Sequence, residues 1–368
     1  MPYLKFNRDQ LLFRKLSERE NKVNILTDSI PVTQNPSHLS ETDLRLIEKT
    51  VSRIKSARLK KSSVILTFGA HTIKNGMSPV LIALFEEGWV THLATNGAGI
   101  IHDWEFAFQG KSSEDVRGNV FKGQFGMWEE TGFFINLAIA VGAYEGLGYG
   151  ESVGKMISSE GLNIPDISEL KEYSINSITD NPESAASAVD LLGLLQKFRI
   201  APGFLTIPHP FKKFSVQAAA FNTGVPFTAH PMIGHDIIFC HPLNSGAAVG
   251  RTAMNDFLSF ANSVSNLEKG VYLSVGSAVM SPMIFEKSLA MAQNVRIQQN
   301  KHIDDHFMLV VDLAKSEWDW QKNGEPPSDN PAYYLRFCKT FHRMGGEMHY
   351  LAADNRDFLL ALYQKLNI

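Results

Sequence analysis

The chain has 368 residues, 44% hydrophobic and 20% charged, with a formal net charge of -3, which is ordinary for a globular protein with a sizeable core. This charge gives no electrostatic case for nucleic acid or an anionic membrane surface, and runs such as Val64–Phe68 and Phe133–Val141 are too short to span a bilayer. The first residues lack the apolar region of a signal peptide, and two distant cysteines, Cys240 and Cys338, exclude a disulfide framework and C-x-x-C chemistry, so we expect a soluble cytoplasmic protein.

Residues 1 to about 40 are polar and irregular and read as an arm with a short helix. Ser40-Glu-Thr-Asp opens a helix to about Arg58, with Leu44, Ile47, Val51 and Ile54 on one stripe. Strands are then expected at Ser63–Phe68, Val90–Ala94, Gly203–Ile207, Pro226–Ala229, Asp236–Cys240, Val271–Val275, Phe307–Asp312 and Met348–Ala352. Helical spacing recurs at 78–87, 103–109, 112–120, 127–145, 149–158, 182–198, 248–264, 281–295, 329–343 and 355–366, with a break at about 160–181 and a surface loop at Lys315–Asn330. Near-continuous apolar strands alternating with helices predict a Rossmann-like, doubly wound α/β fold, with helices on both faces of a mostly parallel sheet. We expect an arm and helix over residues 1–58 and a single domain over 59–368.

Ligands of such sheets sit beyond the carboxyl ends of the strands. The first strand leads into Gly69-Ala-His71-Thr-Ile-Lys74-Asn-Gly76 and the second into Asn96-Gly97-Ala98-Gly99-Ile-Ile-His102-Asp103-Trp-Glu105. Glycine brings a ligand close to the backbone, and helix N-termini offer free N–H groups, so both turns suit a phosphate-bearing ligand. Neither has the G-x-G-x-x-G spacing, so spacing alone only suggests a dinucleotide. Later strand ends carry His230 to Asp236, His241 to Gly246, Gly276-Ser277 and Asp312. His71, Lys74, His102, Asp103, His230, His235, Asp236 and His241 have side chains for acid–base work or a metal, but no H-x-x-x-H stands on a clear helix. The acid–base assignment is His102 or His235, polarised by Asp103 or Asp236, with Lys74 holding substrate or phosphate. Gly146-Leu-Gly-Tyr-Gly150 follows a helix and reads as a C-cap and turn. The Met, Phe and Trp residues of 121–134 read as core or subunit contact.

Gly234-His-Asp-Ile-Ile-Phe-Cys-His-Pro-Leu-Asn-Ser-Gly-Ala-Ala resembles the strand and turn on the NAD and spermidine site of the deoxyhypusine synthase family. Thr95 to Asp103, Leu273 to Met280, Val310 to Asp312 and His349 to Leu360 are similar to that family's other motifs, in the same order, over roughly residues 60–366. The resemblance implies NAD as cofactor, a small amine or amino-acid-like substrate, and a homodimer or homotetramer. For NAD it implies Gly69, His71, Gly76, Asn96, Gly97, Ala98, Gly99, Asn244, Ser245, Gly246, Gly276, Ser277 and Asp312. The family's imine-forming lysine falls on Met280 and its polyamine-holding aspartate on Ser245. A thioether forms no imine, so the aminobutyl transfer is expected to be lost unless Lys74 substitutes. A non-catalytic NAD-binding sensor or scaffold is the other alternative.

Overall fold

The computed structural model describes residues 3–368. They sort into two compact units: one comprises the residues up to Leu26, Ile100–Ala218 and Pro231–Asp256, the other Thr27–Gly99, Ala219–His230 and Phe257–Ile368. The units interleave along the chain, whereas the sequence reading set one boundary at residue 58/59.

The second unit is built on a six-stranded sheet: β1 Val64–Phe68, β2 His92–Thr95, β3 Phe227–Ala229, β4 Val271–Val275, β5 Phe307–Asp312 and β6 Glu347–Ala352. The spatial order is 3-2-1-4-5-6 and every neighbouring pair is parallel. That order defines the doubly wound Rossmann-like fold. The central strands are apolar runs because both faces are covered, and β1 and β4 are buried throughout. On one face Ile65, Tyr272, Met308 and Met348 pack with Phe260, Phe285, Leu289 and Phe341. The helices Glu41–Leu59, Ser78–Glu86 and Asn355–Leu366 pack together and carry a further set of buried side chains, among them Ile54, Leu81 and Leu359. The first of these starts at a capping box in which Ser40 and Asp43 exchange hydrogen bonds.

Four sequence expectations need correction. Asp236–Cys240 is not a strand; Ile237–Cys240 forms a turn of 3-10 helix. Its carbonyls are taken by side chains instead of a ladder: Asn136 donates to Ile238 at 2.9 Å, and Arg8 to Phe239 at 2.8 Å. Gly203–Thr206 is a strand, but it pairs antiparallel with Gly161–Ile164, outside the main sheet. The expected break at 160–181 holds that second strand and a helix, Ile167–Ser177, capped by Asp166. Only Leu170 of this helix is buried, so its sequence lacks the apolar stripe that marks a packed helix. At 329–343 a 3-10 turn, Pro331–Tyr334, precedes a shorter helix, Arg336–Arg343.

In the first unit the arm is anchored by a buried ion pair. Arg19 Nη1 and Nη2 donate to the two oxygens of Glu105 at 2.7 and 2.6 Å, and Ser112 and Thr131 hydroxyls donate to the same carboxylate. Burial opposes ionisation of Glu105, but the Arg19 charge and its hydrogen bonds hold the pKa below the usual carboxylate range. Of the aromatic segment, Trp128 is buried beside Arg19 and Phe121 is exposed. No helix of the described residues is long and apolar enough to cross a membrane.

Removing one partner of a buried pair leaves an uncompensated charge, so Arg19→Ala is expected to cost about 3–5 kcal/mol in urea denaturation. Lys22→Ala, which removes the exposed pair with Asp115, should shift the same curve far less.

Candidate functional site

In the second unit, β1 and β4 are neighbours whose chains continue to opposite sides, toward β2 and toward β5. This is the switch point of the sheet, where a crevice opens beyond the strand ends. The two turns there touch through backbone alone. Gly69 N–H donates to Val275 C=O at 3.1 Å, and a Cβ on Gly69 would overlap the Gly276 carbonyl oxygen. Gly276 has φ 58°, and a Cβ there would meet the Asn355 amide, which in turn donates to Thr72 Oγ1 at 3.3 Å. Both glycines are therefore required by close approach, and Gly276 also by its dihedral.

β1 then enters the helix Ala70–Lys74 after Gly69 with no side-chain cap, and β4 leads into Met280–Gln298 after Val279, whose third residue, Pro282, has no N–H. Ser277 accepts from Ser281 N–H at 3.2 Å, inside the second helix start. Below it, Ser281 joins Thr67 and Tyr272 in a buried hydroxyl cluster. Lys74 is half-buried and makes no hydrogen bond or ion pair among the described residues, while His71 is exposed. The Cβ position of Gly76, at φ 80°, is filled by the Asp28 carbonyl, so this glycine serves a packed turn.

At the end of β2, Asn96 accepts from Gly99 N–H at 3.0 Å, and a Cβ on Gly99 would overlap the Thr95 hydroxyl. Gly97 is buried and Ala98 half-buried in the same turn. Dinucleotide sites of this strand order place an acid near this strand end. Here that place is held by Asn96, and the acid, Asp312, ends β5 on the other side of the switch point, accepting from Ala314 N–H at 3.1 Å.

His230, just beyond β3, belongs to a chain not legible in sequence. His92 contacts Ser263 at 2.8 Å and Thr228 at 2.9 Å, and Thr228 contacts His230 Nε2 at 3.0 Å. Burial lowers both imidazoles to about 3, aided at His92 by the neighbouring His230, so both are neutral hydrogen-bonding groups. Only the periodicity of β2, with a histidine in an otherwise apolar run, hinted at it.

The other expected residues lie in the first unit. The His102–Asp103 pair is not formed. His102 Nδ1 contacts Ser112 Oγ at 2.7 Å, while Asp103 accepts from Ser215, from Val216 N–H and from the backbone and side chain of Gln217. Asp103 thus fixes the start of the helix Val216–Thr223, and burial outweighs its hydrogen bonds and raises its pKa. Successive helix residues point about 100° apart, which is why adjacency in sequence did not make a pair. His235 is exposed and Asp236 buried, with no hydrogen bond between them. Asn244 donates to Asn136 at 2.8 Å, Ser245 accepts from Ala248 N–H at 3.3 Å, and Gly246 opens the helix Gly246–Ser265.

No protein-family model matches the sequence, and no curated protein matches it. Among solved structures, a putative LOR/SDH protein from Methanococcus maripaludis is similar at 12% identity and TM-score 0.43, over 92% of this chain and 73% of that one. A ternary complex of AgrE with ornithine and NAD+ is similar at 16% identity and TM-score 0.44, over 89% of this chain. ArgZ, an arginine dihydrolase from cyanobacteria, is similar at 14% identity and TM-score 0.42, again over 89% of this chain. The chain spans 34% of AgrE and 32% of ArgZ. Likeness this distant carries no argument about chemistry; the fold stands on the strand order and the site on its geometry.

Burial pushes the Asp236 carboxyl up from 3.8 to about 6. Its folded pKa is the higher one, so the penalty is absent below the unfolded value, grows as pH rises, and is complete above the folded value. Asp236→Asn is therefore expected to stabilise the chain by about 2–3 kcal/mol near neutral pH, the gain vanishing toward about pH 4 in denaturant melts. A gain that does not depend on pH would refute this origin.

Proposed function

We propose that the protein binds a dinucleotide of the NAD type at the switch point of the sheet and performs hydride chemistry on a small amine or amino-acid-like substrate. The observation that carries the first half is the 3-2-1-4-5-6 order with Gly69 and Gly276 in backbone contact at its switch point. The chemistry of the site fits the group. The helix start Ala70–Lys74 after Gly69 has no side-chain cap and presents N–H groups, which suits a phosphate; the neighbouring start at Met280 is partly closed, since Ser281 N–H is taken by Ser277 and Pro282 has none. Lys74 is half-buried and unpaired in the first turn, placed to hold a phosphate oxygen or the substrate. Asp312 keeps one carboxylate oxygen beyond its Ala314 contact, an acceptor for a hydroxyl of the bound dinucleotide. When bound, NAD supplies the hydride acceptor; the chain supplies binding, orientation and a proton carrier.

The likeness to the deoxyhypusine synthase family bears on the substrate. Met280 begins the helix Met280–Gln298 at 8% exposure, so the position where that family keeps its imine lysine holds a buried thioether. Aminobutyl transfer is then lost, unless the unpaired Lys74 forms the imine, which is the second reading. The substrate and its amine chemistry, and a homodimeric or homotetrameric assembly, remain parts of this proposal.

Calorimetric titration with NAD is expected to show one site per chain, and saturation at ~100 times the dissociation constant should add about 2.7 kcal/mol of stability. Lys74→Ala should weaken this binding roughly tenfold with an unchanged melting curve, as loss of one phosphate contact does. No heat and no thermal shift at millimolar NAD would remove the reading. Borohydride treatment with spermidine and NAD should trap no adduct; an adduct on Lys74 would establish the second reading instead.

A further inference from the structure

Residues 315–330, expected from sequence as a surface loop, lie in the long connection between β5 and the helix Arg336–Arg343. A connection of this length inside a compact unit is as a rule either functional or disordered, and this one is pinned along its length. Tyr350 Oη donates to the Ala314 carbonyl at 2.5 Å, and Trp318 N–H donates to Ser316 Oγ at 3.3 Å. Trp318 packs against the aromatic core of that face, and its Nε1 donates to the Gly324 carbonyl at 2.9 Å, which fixes the indole. Asp319 caps the short helix Trp320–Asn323, and Glu325 is tied to Lys339 at 3.0 Å and to Arg343 at 2.5 and 3.1 Å.

Between these anchors the chain lines a cavity of about 430 Å³, with Lys315, Glu317, Trp318, Asn323, Asn330 and Pro331 in its walls. Sites for small organic molecules measure roughly 300–1,000 Å³ and combine apolar walls with a few polar groups. Here the fixed indole and Pro331 supply the apolar wall, and Lys315 and Glu317 supply one charge of each sign. Unlike Glu325, both are without a hydrogen bond or ion pair among the described residues, to each other or to any neighbour. They stand two residues apart in sequence, so their Cα atoms are at most about 7 Å from each other. Asn330 spends its Oδ1 on Ala332 N–H at 2.9 Å and keeps its Nδ2 donors, and Asn323 adds a second, exposed amide.

A simple anion satisfies Lys315 and is repelled by Glu317, and a simple amine does the reverse. An α-amino acid satisfies both at once: its carboxylate meets the lysine and an asparagine amide, its ammonium meets the glutamate, and its side chain meets the indole. We propose that this cavity binds a free α-amino acid with an apolar or aromatic side chain. The site lies wholly within the second unit, and binding does not depend on the dinucleotide. The amino acid's role as substrate does rest on that reading, since the cavity follows the carboxyl end of β5, on the sheet edge where the cofactor is placed.

The probe is L-phenylalanine, titrated calorimetrically against the full chain without nucleotide. It is compared with phenethylamine, which lacks the carboxylate, and 3-phenylpropionate, which lacks the ammonium. L-Phenylalanine is expected to bind at one site per chain and each analogue roughly tenfold more weakly, as loss of a hydrogen bond to a charged group dictates. Lys315→Gln should weaken L-phenylalanine roughly tenfold and leave phenethylamine unchanged. Glu317→Gln should weaken L-phenylalanine to the same degree and leave 3-phenylpropionate unchanged. Both side chains are exposed, so the variants are expected to keep the melting curve of the unaltered chain. Absence of L-phenylalanine binding at millimolar concentration overturns the proposal, as do equal affinities for the three compounds or an L-phenylalanine affinity that both variants retain. Because no nucleotide is present, a failure of NAD to bind leaves this result standing, and a failure here leaves the cofactor reading standing.

Discussion

Two backbones meet where the sheet of the second unit reverses direction, and the rest of that unit is arranged around this contact. With the Gly276 carbonyl in the place of a Gly69 side chain, β1 and β4 stay hydrogen-bonded to their last residues and release their chains to opposite sides. Any Cβ at Gly69 would push β1 away from β4 and open the centre of the sheet, where both strands are buried throughout. Asn355 and Thr72 complete the contact, so the last helix of the chain is tied to the first turn after β1. A close-packed interior transmits such a displacement instead of absorbing it. The same contact keeps side chains off Gly69 and leaves the start of Ala70–Lys74 without a side-chain cap.

The first unit is held by a different device. Its fixed points are polar: Arg19 on Glu105, Arg8 on the carbonyls of Phe239, His241 and Asn244, Asp103 on the start of Val216–Thr223, and Asp256 on the turn at Gly150. Each of these groups is hydrogen-bonded, and all but the half-buried Arg8 are buried. Asp236 breaks that pattern, with an unpartnered oxygen and a pKa pushed up by burial. Buried unpaired charge is the mark of a site more often than of a scaffold, because nothing in folding rewards it. The expected pair with His235 is not formed, because His235 is exposed and Asp236 is buried.

The elements that sequence reasoning located well are those whose burial is set locally. Val271–Val275 and Phe307–Asp312 match the expected strands because an apolar run in a parallel sheet needs no alternation to be recognised. The helices Pro182–Phe198 and Asn355–Leu366 match because caps and apolar spacing agree at both ends. The weak points were segments whose backbone partners come from afar. Ile237–Cys240 has the composition of a strand, yet Asn136 and Arg8, both more than a hundred residues distant in the chain, take its carbonyls. Helix Ile167–Ser177 was missed because it buries one residue and so carries no stripe.

The candidate sites divide in the same way. The glycines at 69 and 276 were legible, since a strand ending in glycine has few other uses, and the alternating pattern was enough to determine a doubly wound α/β chain. Which strand neighbours which was not legible, because hydrogen bonding between β1 and β4 joins residues about two hundred positions apart and leaves no local trace. Tertiary structure alone decided that Gly69 meets Gly276, that His102 turns to Ser112 and not to Asp103, and that Asp256 is seated against Gly150. The physical reason is common to all three. Periodicity and turn chemistry report how one segment sees solvent, whereas a site is defined by the distances between segments, which only packing sets.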